Sequence, residues 1–179
     1  MKKVLLVAAA MLAFVCASAQ SAADLAASLQ RIANLRDANS SYPKSTGISE
    51  IDSYSSTVYR LSNAVIESGD ELHSLAGKVQ GGEKVDAKSV LSLSASIADE
   101  GLEAADLVKA GEAAVAREKQ IVEAAKNEKN PMKKAKLAAD AAKATNAIGY
   151  TAKAAPIIVE ESVAQGKLVE ALAKAAKAK

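Results

Sequence analysis

His73 is the one imidazole in a chain of 179 residues, so any Ser-His-Asp or Cys-His nucleophile would have to be built around it. The single thiol, Cys16, lies in an N-terminal stretch that reads as a cleaved leader. His73 follows Leu72, a position on the regular apolar stripe described below, and so falls on the flank of a packed helix face. That placement reads as a half-exposed structural histidine rather than a general base.

Two groups of carboxylates bear on metal chemistry. Asp70 stands three residues before His73, and Asp99, Glu103 and Asp106 recur at i, i+4 and i+7 on a later segment. Bundles that hold two metal ions take a Glu-x-x-His from each of two helices and further Glu from the others. Half of that set exists here, with Asp for Glu and without a second His, so the acids read as a solvated face. Haem is no better served, because Met132 is the only Met after the leader and stands beside an expected turn. Gly81-Gly82-Glu83 lacks the spacing of a nucleotide-binding loop. Glu160 and Glu161 are adjacent and leave a helix in different directions, which makes a poor acid pair. The sequence therefore predicts a non-enzymatic protein with no cofactor and no metal. Tyr42 and Tyr59 are candidates to line a small apolar site, although tyrosines at a bundle edge are the commoner explanation.

Charge is unevenly distributed. Residues 20–125 carry 10 Lys/Arg against 16 Asp/Glu, a balance of −6, whereas residues 126–179 carry 11 Lys against 5 acids, a balance of +6. One reading lays the two segments together so that their surface charges complement. The other makes a basic surface of Lys126, Lys129, Lys133, Lys134, Lys136, Lys174, Lys177 and Lys179 that meets anionic lipid or a polyanion. Nucleic acid is not expected for an exported chain without stacking aromatics.

These groups must be positioned by helices. Ile51, Tyr54, Val58, Leu61, Val65, Ser68, Leu72, Leu75 and Val79 are spaced 3-4-3-4-3-4-3-4. Such a stripe turns one side of a long helix toward a partner helix. Gly81-Gly82 suits its closing cap. Before it, Leu25, Leu29 and Ile32 predict a first helix to about Asp37, ended by 39–43 with Pro43. After it, a third helix is expected to start after Asp86 and continue to about Asn127. Its stripe runs through Val90, Ile97, Ala104, Val108, Gly111, Val115 and Val122, with Leu107, Ala114 and Ile121 alongside. Gly101 and Gly111 suggest close approach of a neighbouring backbone. Asn130-Pro131 is a start signal for a fourth helix, which Pro156 must kink or break. Ile157, Ile158, Val159, Val163, Leu168, Val169 and Leu172 then resume an apolar face. No segment alternates as a strand does. The expected fold is all-α: an elongated antiparallel up-down bundle of about four helices, Ala-rich and closely packed, the last kinked at Pro156.

Lys2 and Lys3, the apolar run 4–15 and the small residues Ala17-Ser18-Ala19 have the layout of a secretory signal. The reading is a leader over 1–19, cleaved between Ala19 and Gln20, and one helical domain over 20–179. Lipidation at Cys16 is the rival. The expected protein is exported, to the periplasm or beyond, with a structural or protein-interaction role that includes self-association. The alternatives are association with a membrane surface or polyanion through its basic C-terminal helices, or carriage of a small apolar ligand.

Overall fold

The computed structural model describes residues 22–177, with side chains as far as 175. The leader over 1–19, the cleavage point at Ala19, the alternative lipid site at Cys16, and Lys179 lie outside the described residues, as does the side chain of Lys177.

Four helices account for nearly all of the described chain: α1 over 22–40, α2 over Ser49–Gln80, α3 over Ala87–Asn127 and α4 over Pro131–Lys177. Their ends follow local chemistry. Gly82 takes φ +81 after α2, and Glu83 N donates to Lys78 O (2.9 Å) while Gly82 N donates to Val79 O (3.2 Å). This is a Schellman cap, which needs the left-handed residue that glycine supplies. Asp86 caps α3 by accepting from Lys88 N, and Asn130 Oδ1 caps α4 by accepting from Met132 N (3.0 Å) and Lys133 N (3.2 Å). Helix α2 begins differently. The Asp52 carboxylate reaches back to the Thr46 and Gly47 amides and the Ser45 and Thr46 hydroxyls, pinning the entering loop. Burial pushes the Asp52 carboxyl up, but those donors outweigh it and hold its pKa below the ordinary value.

Side-chain pairs fix the directions. Arg36 with Asp70 and Asn39 with Asn63 set α1 antiparallel to α2. Ser68 with Glu100 and Arg117 with Glu50 do the same for α2 and α3, and for α3 and α4 the three-residue link 128–130 does so, with Thr145 bonded to Glu118 across the hairpin. The result is an antiparallel up-down bundle, and it tapers. Helix α1 is the shortest and lies beside only the second half of α2, so the bundle is four helices thick there and three around Tyr54. Ile51, in the first turn of α2, packs with Ile121, Ala125, Ala141, Ala144 and Ala147. The 126–136 end of the α3–α4 hairpin therefore continues past α2 by roughly two turns, about 10 Å.

Ile51, Tyr54, Val58, Leu61, Val65, Leu72, Leu75 and Val79 are all buried, and Ser68 with them. On α3 the inward row differs from the expected one. It runs through Val90, Leu93, Ile97, Glu100, Ala104, Leu107, Ala114, Ile121 and Ala125, leaving Val108 62% exposed and Val115 and Val122 half-buried at its edge. On α4 it runs through Ala144, Ala147, Thr151, Ala154, Ile158, Glu161, Gln165, Leu168 and Leu172, and Val163 faces outward. On α1, Ser28 rather than Leu29 points in. At Ser28, Ala114 and Ser162 the chain buries a small or polar residue rather than the larger aliphatic that follows it, while Leu107 and Ile121 take the inward places beside Val108 and Val122.

Helix α4 is not broken at Pro156. Pro156 and Ala152, whose carbonyl the missing amide would have met, are both exposed, so that carbonyl can turn to water. Gly101 has open space where a side chain would go, and Gly111 faces the ring of Tyr54 rather than a neighbouring backbone.

Candidate functional site

The core is not continuous. One apolar cluster is centred on Val58, Val65, Leu107 and Ile158, another on Leu72, Ile97, Leu168 and Leu172. Between them lies a layer of polar side chains from every helix. Glu161, fully buried on α4, accepts from Arg31 Nε (2.6 Å), from the Ser28 hydroxyl and from Gln165 Nε2 (3.1 Å). Gln165 also donates to the Val65 carbonyl of α2 (2.8 Å). Beside them Ser68 donates to the buried Glu100 carboxylate, whose Oε2 has no hydrogen-bond partner. Burial pushes the Glu100 carboxyl up; the Ser68 bond opposes this, and the charges of Glu103, Glu67 and Asp99 add to it.

His73 joins this layer at its edge, with Nε2 3.1 Å from Ser28 Oγ. The trio of Ser28, His73 and Glu161 has the residue types of a hydrolytic triad but not its wiring. The Ser28 proton is directed at Glu161, so His73 donates to that hydroxyl instead of withdrawing its proton, and Ser28 is fully buried. Burial lowers the His73 pKa against the pull of Glu161 and Asp70, leaving the ring neutral. The arrangement serves to fix helix register. His73 lies on the flank, as its place beside Leu72 predicts, whereas the burial of Glu100 and of Glu161, expected only as a poor acid pair with Glu160, is not predicted. The signal for them was their position: 97-100-104 and 158-161-165 keep the apolar spacing, with an acid on the seam.

Asp99, Glu103 and Asp106 are exposed, and Glu103 pairs with Arg60 of α2. Among the described residues no group of three or more His, Cys, Asp or Glu is placed to hold a metal ion. Tyr42 and Tyr59 stack on each other at 4.2 Å between ring centres, and Tyr150 meets Tyr42 edge-on at 5.4 Å. The Tyr150 hydroxyl donates to Asn39 Oδ1 (3.0 Å); burial, with the two other phenols beside it, keeps it protonated far above neutrality. These rings fasten the end of α1 to α2 and α4. A cleft of about 430 Å³ lies between α3 and α4, lined by Leu107, Val115, Ile148, Ala155 and Val159 over Tyr54 and Thr151.

The expected basic surface is divided. Lys174 and Lys177 stand near one end of α4, while Lys133, Lys134 and Lys136 stand near the other, about 60 Å away along the helix. Lys126 and Lys129 join the second group across the 128–130 link, and all five of these side chains are exposed. All four arginines of the chain form ion pairs that tie helix to helix: Arg31 to Glu161, Arg36 to Asp70, Arg60 to Glu103 and Arg117 to Glu50. Among the described residues the five hairpin lysines form no ion pair, and Lys143 with Asp140 is the one lysine pair the bundle shows. Arginines therefore supply the charge complement that sequence reading assigned to the C-terminal lysines. Lys133, Lys134 and Lys136 also stand in the first two turns of α4, where a helix's own dipole disfavours cations. Met132, in the same turn, is 86% exposed.

No known protein family, characterised protein or solved structure matches this chain. Among the described residues no helix is long and apolar enough to cross a membrane.

Proposed function

We propose that this chain is an exported, non-enzymatic protein with a structural or interaction role: a helical rod that carries a contact surface at the 126–136 end of its α3–α4 hairpin. The observation that supports this reading is the different use of the two basic residue types. Arginines are consumed in holding helices together, while the hairpin lysines are left unpaired around an exposed methionine, and Lys133, Lys134 and Lys136 stand where the α4 dipole disfavours them. The interior polar groups support the non-enzymatic part, because their hydrogen bonds run from helix to helix and the one serine that meets the imidazole is sealed from solvent.

Site-specific photocrosslinking in the native source tests the reading. A photoreactive residue at Lys133 is expected to give discrete adducts to protein or lipid, whereas one at Leu102, exposed on the outer side of α3, gives none. Equal labelling from both positions, or none from Lys133, would overturn it.

A further inference from the structure

We infer that the hairpin tip docks on the surface of an anionic lipid membrane, an inference that rests on the tip being the contact surface and names what it contacts. Over 126–136 there are five lysines and one acid, Glu128, a balance of +4. The Glu128 carboxylate is engaged locally, accepting from Asn130 N (2.8 Å), and does not neutralise a lysine. The tip therefore presents a concentrated positive charge.

Three further features select a lipid surface over other anions. Met132 is 86% exposed in the same turn; a flexible apolar side chain among lysines can enter the headgroup layer while their ammonium groups stay at its surface. The cations are lysines without arginine or aromatic neighbours. That suits a diffuse field of headgroups rather than the bidentate or stacked contacts that nucleic acid and phosphopeptides reward. The tip also reaches beyond the start of α2, and the 41–48 loop sits one level back, against Lys143, Asn146 and Ala147. A flat surface can therefore meet the tip end-on. The protein would stand on the membrane by one end, with the polar layer and α1 held away from it.

Sedimentation with vesicles tests this, using the chain from residue 20 onward. Vesicles of phosphatidylcholine with about a third phosphatidylglycerol are expected to bind it about a hundredfold better than phosphatidylcholine alone, with five lysines contributing near the surface, and the preference should fade at high salt. The variant Lys133→Glu/Lys134→Glu/Lys136→Glu should lose about a hundredfold in that partition. Its melting temperature should hold or rise, since acids suit the start of a helix. Met132→Ser should lose several-fold at every salt concentration, and Lys167→Glu/Lys174→Glu, at the opposite end, should lose little. The inference is overturned if anionic vesicles are not preferred, if the triple variant binds as wild type does, or if the far-end variant loses as much. Retention on heparin or DNA without vesicle binding would overturn it in favour of a polyanion. If vesicles fail while Lys133 still crosslinks to a protein, the contact surface stands and its lipid partner falls.

Discussion

Arg31 Nε lies 2.6 Å from Glu161 Oε2, and this one pair bridges 130 positions of sequence to fasten α1 onto α4. Glu161 is fully enclosed, while the Arg31 side chain keeps 25% of its surface exposed. The arginine is therefore less costly to desolvate than the acid it neutralises. Removing it leaves a buried carboxylate with only Ser28 and Gln165 as donors.

Arg31→Ala should accordingly destabilise the bundle by about 3 kcal/mol, the usual order for stranding one half of a buried pair. Hydrogen exchange should show the loss first in the amides of α1, with α3 amides retaining their protection. Glu161→Gln, which keeps a hydrogen-bonding group without a charge, should cost less. Equal stability of the wild type and Arg31→Ala would show that the Arg31–Glu161 pair does not hold α1 in place.

Two helix-interior glycines should respond oppositely to alanine. A methyl at Gly69 would collide with Ile32 Cδ1 and sit 2.7 Å from Gln165 Nε2, whereas one at Gly101 would meet nothing within 4 Å. Gly101→Ala should stabilise by about 1 kcal/mol through helix propensity alone. Gly69→Ala should destabilise by about 1–3 kcal/mol, because both crowded atoms belong to fully buried side chains in a packed layer. Thermal melts of the two variants give the comparison directly.

Much of this architecture was legible in the chain. The α2 stripe, the Gly81-Gly82 reversal and the Asp86 and Asn130-Pro131 starts depend on local spacing and capping, which sequence displays. The inward rows of α1, α3 and α4 were less legible. There, register is decided by which neighbour each helix meets, and Ser28, Glu100, Glu161 and Gln165 are acceptable inside only because partners from distant segments meet them. The division of the basic residues between two ends of the bundle was not legible for a similar reason. Lys133 and Lys174 share a helix but not an end of it, and composition does not record which lysines find acids.

Glu100 makes stability depend on pH in a specified direction. Its folded pKa is raised above the ordinary 4.5. As pH climbs past that value, the folded chain retains a proton that the unfolded chain has released, so stability falls until the folded carboxyl also ionises. His73 acts oppositely: its pKa is lowered from 6.5, so stability is lost as pH falls from there through the folded value. Glu100→Gln should raise the melting temperature by about 2–4 °C at neutral pH, corresponding to about 1 kcal/mol from the removed unsatisfied charge. That gain should vanish near pH 4. A gain independent of pH would mean that the Glu100 carboxylate is not the source.

Helix α3 runs unbroken from the α2–α3 turn to a tip at the far end of the bundle. A chain starting at residue 20 lacks Cys16, the one native thiol, so spin labels can be placed at Lys84→Cys and Lys129→Cys for a pulsed electron-resonance distance measurement. A single narrow distribution near 60 Å, the length of a helix of this span, is the predicted result. A distribution centred below about 40 Å would mean that the rod folds back on itself and that the lysine tip is not at an end.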